Sequence, residues 1–216
     1  MKVTYFLEVL SSWCHWAEPT WDSLKSRYAG RVEFDWKIAL MKPEDFPISA
    51  AQAEWFYNRS GGTVMHSSYK LSTGWFDPKL KGDYRIPNLV AEAARGLGAK
   101  DDVVRRAIAT AAVREGRKVG GIDEAVAVAA QAGKIPAKKL KAAAQSAAVA
   151  ERVAASTALF TAHQISQRPA FILEDAIGDK AVFSGLVRLE PLAATIEAML
   201  SDTAAYVSHA AHYGSP

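Results

Sequence analysis

Six consecutive residues hold most of the chemistry this sequence offers: Ser11, Ser12, Trp13, Cys14, His15 and Trp16. Cys14 is the chain's single cysteine. A thiolate is the form that attacks disulfides or electrophiles. Cationic neighbours and the free N–H groups of a helix start both favour it. His15, if protonated, adds a positive charge beside the thiol. The bland alternative makes Cys14 a small buried residue, since free cysteine is among the most buried types. Ser11 and Ser12 suit a helix N-cap, where a hydroxyl oxygen accepts an orphan N–H of the first turn. Trp13 and Trp16 either wall a ligand site or pack in a core. One cysteine excludes an intrachain disulfide and a cysteine-rich zinc site.

These residues need an element to aim them. The apolar run before Ser11 reads as a buried strand over 3–10, short and rich in aromatic and β-branched residues. A helix over 12–28 follows, with Pro19 inside it predicting a kink. Gly30 ends that helix, and the alternation from Val32 to Leu40 reads as a second strand. Strand, helix, strand fits a right-handed parallel crossover. Cys14 then lies in the first turn of a helix leaving a strand end.

Further along, Pro43, Pro47, Gly61, Gly62, Gly74, Pro78 and Gly82 interrupt residues 41–84, with a short helix over 50–58. Trp55, Phe56, Tyr57, Tyr69, Trp75 and Phe76 crowd this stretch, either buried against the core or walling an aromatic substrate pocket. Residues 87–165 are alanine-rich and helical, with helices over 87–96, 101–115, 123–132 and one or two within 136–164. Gly98, Gly116 and Gly133 are candidate C-caps, and Asp101 and Asp123 candidate N-caps. A hairpin follows around Gly178, then an amphipathic helix over 189–200. Residues 201–216 read as frayed or loosely packed. The layout is α/β, of thioredoxin type with an α-helical insertion: residues 1–40 and 166–200 form the thioredoxin-like part, 41–165 the insert, mainly helical from about 85, and 201–216 a tail.

Composition bounds the partners. The 216 residues carry 26 Lys and Arg against 23 Asp and Glu, a net charge of +3. So small an excess points to no polyanionic partner and no nucleic acid. No stretch reaches the ~18 apolar residues of a membrane span, and the expected location is cytoplasmic. His209 and His212 share a helix face but lack a third ligand, so no metal is expected.

At three places the chain resembles the DsbA-like branch of the thioredoxin superfamily, which includes DsbA, its cytoplasmic relatives, 2-hydroxychromene-2-carboxylate isomerase and the kappa-class glutathione transferases. Ser11-Ser12-Trp13-Cys14 stands where two-cysteine members carry Cys-Pro-Trp-Cys or Cys-Ser-Trp-Cys. Gln167-Arg168-Pro169-Ala170-Phe171 stands where a strand opens on a cis-proline. Phe183-Ser184-Gly185-Leu186-Val187-Arg188-Leu189 matches a Phe-x-Gly-x-x-Arg-Leu run before the last helix.

The resemblance implies a DsbA-like oxidoreductase-type protein acting on thiols or disulfides. Serine replaces the attacking cysteine, and a hydroxyl cannot exchange with disulfides. The isomerase and kappa-class relatives also have serine there, which implies that Ser11 stabilises the thiolate of bound glutathione. Cys14 is left in the resolving position, or acts as a monothiol nucleophile. Ser12, Trp13, His15, Arg168 and Pro169 are the implied substrate- or glutathione-binding residues. Pro169 would expose the preceding backbone to an extended thiol peptide. Arg168 either binds a substrate carboxylate or is merely solvated. The partner is a small thiol, a thiol conjugate or a protein thiol, and a homodimer is compatible with this. One departure stands out: kappa-class relatives hold the γ-glutamyl amine with a polar residue and an aspartate where this chain has Leu186 and Val187. The rival expectation is a non-catalytic binding module that has lost its attacking thiol.

Overall fold

The apolar run before Ser11 forms β1, Lys2–Leu7, in a computed structural model that describes residues 1–214. β1 ends earlier than the 3–10 pattern suggests. The Glu8 N–H turns to the Cys14 sulfur and the Val9 N–H to Asn88 Oδ1, so neither joins a ladder. Ser11 then caps α1, Ser12–Arg27. The helix runs unbroken through Pro19. β2, Glu33–Ile38, lies parallel to β1, pairing Lys2 with Glu33 and Leu7 with Ile38.

The sheet is completed from the far end of the chain. β3, Ala170–Glu174, pairs antiparallel with β1, and β4, Lys180–Ser184, antiparallel with β3. The strand order β2-β1-β3-β4 is the expected thioredoxin-type sheet. β1 is covered on both faces, which explains a continuous apolar run in place of an alternating one. Val3, Tyr5 and Leu7 enter the main core, where Tyr5 stacks on Phe171 with ring centroids 5.0 Å apart. Phe6 faces the other way, into a smaller cluster with Ala39, Phe160, Ile165, Ala170 and Ile172.

Between β2 and β3 lie six helices: α2 Ala50–Tyr57, α3 Arg85–Gly96, α4 Val103–Val113, α5 Ile122–Gly133, α6 Ala137–Ala144 and α7 Ala147–Ala162. Alanine lets these helices approach closely, and α3 packs against α4, α5, α6 and α7. Gly98 and Gly116 have the positive φ expected of C-caps. At the third site Lys134 takes the left-handed conformation, while Gly133 stays helical. A Cβ on Gly133 would sit 2.8 Å from Val104 Cγ2, so close packing explains that glycine. Asp123 lies inside the first turn of α5, and Gly121 is its N-cap.

The last helix, α8, runs Leu189–Tyr213, well past the expected end at Leu200. Its one proline, Pro191, sits in the first turn, no glycine or proline follows before Gly214, and its alanines favour helix. Its second half is loosely packed all the same, with Tyr206, Val207 and Tyr213 exposed. Among the described residues no helix is long and apolar enough to cross a membrane.

Candidate functional site

Ser11 sits at the junction of β1 and α1. Its N–H donates to the Glu8 carbonyl at 3.1 Å and its carbonyl accepts the His15 N–H at 3.0 Å. Its Oγ accepts the Cys14 N–H at 3.3 Å. The hydroxyl is thus a helix cap, and capping uses the oxygen as acceptor while leaving the proton to donate. The Ser12 and Trp13 N–H groups have no acceptor among the described residues.

Above this turn opens a pocket of about 360 Å³. Ser11, Ser12 and Trp13 form one side, Gln167 and Arg168 another, and Leu186 borders it. Phe46, Phe56, Tyr57 and Trp75 line it too. The aromatic stretch divides: Tyr57 and Trp75 are core residues that also line the pocket, while Trp55 is exposed and Tyr69 packs on Trp16 with centroids 5.1 Å apart.

The Arg168–Pro169 bond is cis, as the resemblance implies. The Pro169 carbonyl accepts the Gly185 N–H at 2.8 Å, and Gly185 has φ +90°. The Arg168 N–H and carbonyl have no partner among the described residues. Its side chain differs from the expectation of a free carboxylate ligand. The guanidinium donates to the Ala39 and Leu40 carbonyls and lies 4.6 Å from the Phe160 ring centroid. Two main-chain carbonyls and an aromatic face hold it.

Cys14 faces away from this pocket. It lines a separate cavity of about 70 Å³ with His15, Glu18 and Arg105. It is 3% exposed. Burial pushes its thiol up to about 12, although the Glu8 N–H and Ser11 partly offset that. The helix start does not yield a thiolate here, because lost solvation outweighs the dipole. His15 is also uncharged at neutral pH. Burial and the nearby Arg114 and Arg106 bring it down to about 4, and its Nε2 lies 3.3 Å from the Tyr69 hydroxyl. It adds no positive charge beside the thiol.

Sequence reasoning missed Glu8. It is buried, its Oε1 accepts from Asn88 Nδ2 and its Oε2 from the Met41 N–H at 3.1 Å. Burial raises its carboxyl to about 7, against these hydrogen bonds and the Arg168 charge. A lone acid inside an apolar run was the available signal. Also missed was an ion network under α1. Arg105, 3% exposed, bridges Glu18 and Asp102, and Asp102 accepts the Trp21 Nε1–H at 3.0 Å.

The DSBA-like thioredoxin domain matches residues 2–197, and the chain belongs to that family. No functionally curated protein matches it. Among solved structures it is similar to a protein provisionally assigned as a protein disulfide isomerase from Nitrosomonas europaea, at 16% identity and TM-score 0.75, covering 93% of this chain and 98% of that one. It is similar to the cytosolic disulfide reductase DsbM from Pseudomonas aeruginosa, at 19% identity and TM-score 0.68, covering 93% and 99%. A third similar structure is 2-hydroxychromene-2-carboxylate isomerase, at 14% identity and TM-score 0.66, covering 95% and 99%. Likeness at these identities shows the fold, and activity does not follow from fold.

Proposed function

We propose that this protein binds a small thiol of the glutathione class in the Ser11 pocket and stabilises its thiolate for isomerase or transferase chemistry. The observation that carries this reading is the Ser11 hydroxyl, whose oxygen already accepts the Cys14 N–H. Its proton remains to be donated to a sulfur in the pocket. The unpartnered Ser12 and Trp13 N–H groups and the positive end of α1 favour the same anion. Since Cys14 is buried and protonated, the nucleophile arrives with the ligand. The thiol proton leaves to solvent, and the thiolate adds to an electrophilic carbon held against the aromatic wall. Loss of the same thiolate completes an isomerisation, and its retention a transfer. A DsbM structure solved with GSH supports a small thiol as partner. The cytosolic setting of DsbM supports a cytoplasmic location for this chain.

Titration with glutathione, read by calorimetry and by thiolate absorbance in the ultraviolet, tests the proposal. Binding with a thiolate signal that Ser11→Ala abolishes is the expected result. No binding at millimolar ligand would rule the reading out. A second reading, a binding module without turnover, is favoured by the buried Cys14 and by apolar Leu186 and Val187 before α8. Thiolate stabilisation that depends on Ser11 would exclude it.

A further inference from the structure

We propose that Arg59 is the anion-recognising residue of the Ser11 pocket, and that the thiol ligand it selects carries a carboxylate. This rests on the pocket being the thiol site, and it names what that site discriminates. Arg59 lines the same pocket as Ser11. Among the described residues it forms no ion pair and no hydrogen bond. The other guanidinium on the lining, Arg168, is already donated to the Ala39 and Leu40 carbonyls. Arg59 is thus the pocket's available cation.

Arg59 is exposed at the pocket's edge, where two indoles flank it. The guanidinium carbon lies 6.0 Å from the Trp13 ring centroid and 5.8 Å from that of Trp55. Two indoles lie within cation–π reach, none of its N–H groups has an acceptor among the described residues, and a guanidinium fork matches a carboxylate bidentately. Trp13 is in the first turn of α1, two residues from Ser11, so the cation and the hydroxyl share one support.

The backbone carrying Arg59 is anchored as well. After α2 the chain widens into a π-type turn, Asn58–Val64, a distortion frequent at functional sites. Ser60 inside that turn is fully buried, and its hydroxyl accepts the Trp16 Nε1–H at 3.1 Å and donates to Ser12 Oγ at 3.3 Å. At Gly61 a Cβ would fall 2.7 Å from Trp16 Cζ2. The turn is therefore fastened to α1 by the two residues that follow Arg59. Asp45, the one carboxylate on the lining, already accepts the Lys42 N–H at 3.1 Å.

The test compares S-hexylglutathione, a thioether that needs no thiolate, with its diethyl ester, by calorimetry on the full chain. The wild type is expected to bind the diacid about tenfold tighter than the diester, as for a charge-assisted contact. In Arg59→Gln the two affinities should converge, and in Arg59→Lys the preference should shrink without vanishing. Because each variant is compared with itself, a general loss of folding does not mimic this result. An unchanged preference in Arg59→Gln overturns the proposal, and so does failure of the wild type to bind either compound. Thiolate absorbance with free glutathione reads the Ser11 role separately. Its absence beside an intact diacid preference would sink the thiol reading and leave Arg59 as an anion site.

Discussion

The Cys14 sulfur accepts the Glu8 backbone N–H at 3.5 Å, on the side of α1 turned away from the Ser11 pocket. That contact separates the chain's two candidate reactive groups. The hydroxyl borders the pocket, and the thiol looks back at its own strand.

Cys14 should therefore be inert in the folded protein. A thiol raised to about 12 carries almost no thiolate at neutral pH. Native protein is expected to resist an aromatic disulfide reagent that reacts at once after unfolding in guanidinium. Cys14→Ala should still bind glutathione. A loss of affinity beyond about tenfold would return Cys14 to the site.

Ser11 combines two tasks that substitution can separate. Ser11→Ala leaves the Cys14 N–H uncapped, at a cost of about 1 kcal/mol, and also removes the proposed donor to a ligand sulfur. Ser11→Asp keeps a capping oxygen but opposes a thiolate. Urea unfolding should show the alanine variant weakened and the aspartate variant close to wild type. Both should lack the glutathione thiolate signal. A signal retained by the aspartate variant would count against donation from Ser11.

Glu8 and His15 pull stability in opposite directions with pH. Glu8 is raised from 4.5 to about 7. Between those values the folded chain keeps a proton that the unfolded chain has lost, so stability falls as pH rises, by on the order of 3 kcal/mol. His15 is lowered from 6.5 to about 4. There the unfolded chain binds the extra proton, and stability rises with pH across that window. The slopes oppose each other where the windows overlap, from 4.5 to 6.5. Glu8→Gln should unmask the rise and His15→Gln the fall, read as urea midpoints across that range. Parallel profiles for both variants and wild type would contradict the assignment.

Arg105 should be the costliest surface-distant residue to remove. Its truncation removes the most buried cation of the network and leaves Glu18 with only Arg106, at 3.5 Å, and Asp102 with Lys25 and the Trp21 N–H. Arg105→Ala is expected to lose about 3–5 kcal/mol in urea unfolding. A loss below about 1 kcal/mol, the range of exposed pairs, would mean that water reaches the network.

How much of this could be read in the sequence depends on how local each feature is. Ser11 as a cap, the strand before it and the Gly98 and Gly116 turns are set within a few residues of chain, and they were legible. Pro169 was legible only through likeness to relatives. Glu8 was not, because its burial is created by Asn88, 80 residues away, once β1 stops at Leu7. Arg105 likewise looks like one more helical cation until α4 meets Glu18, 87 residues away. Arg59 gave no signal beyond its neighbourhood of aromatics. Its setting arises from an irregular turn that no periodicity announces.

β1 occupies the inner position of the sheet, hydrogen-bonded to β2 on one edge and to β3 on the other. Any excursion that frees the end of β1 must break two ladders at once. Peripheral fraying, cheap along the exposed half of α8, is not available to the strand that leads into Ser11. Amide exchange at Tyr5 and Phe6 should then be limited by global unfolding, and the strand end from which the chain turns to Ser11 is as durable as the fold itself.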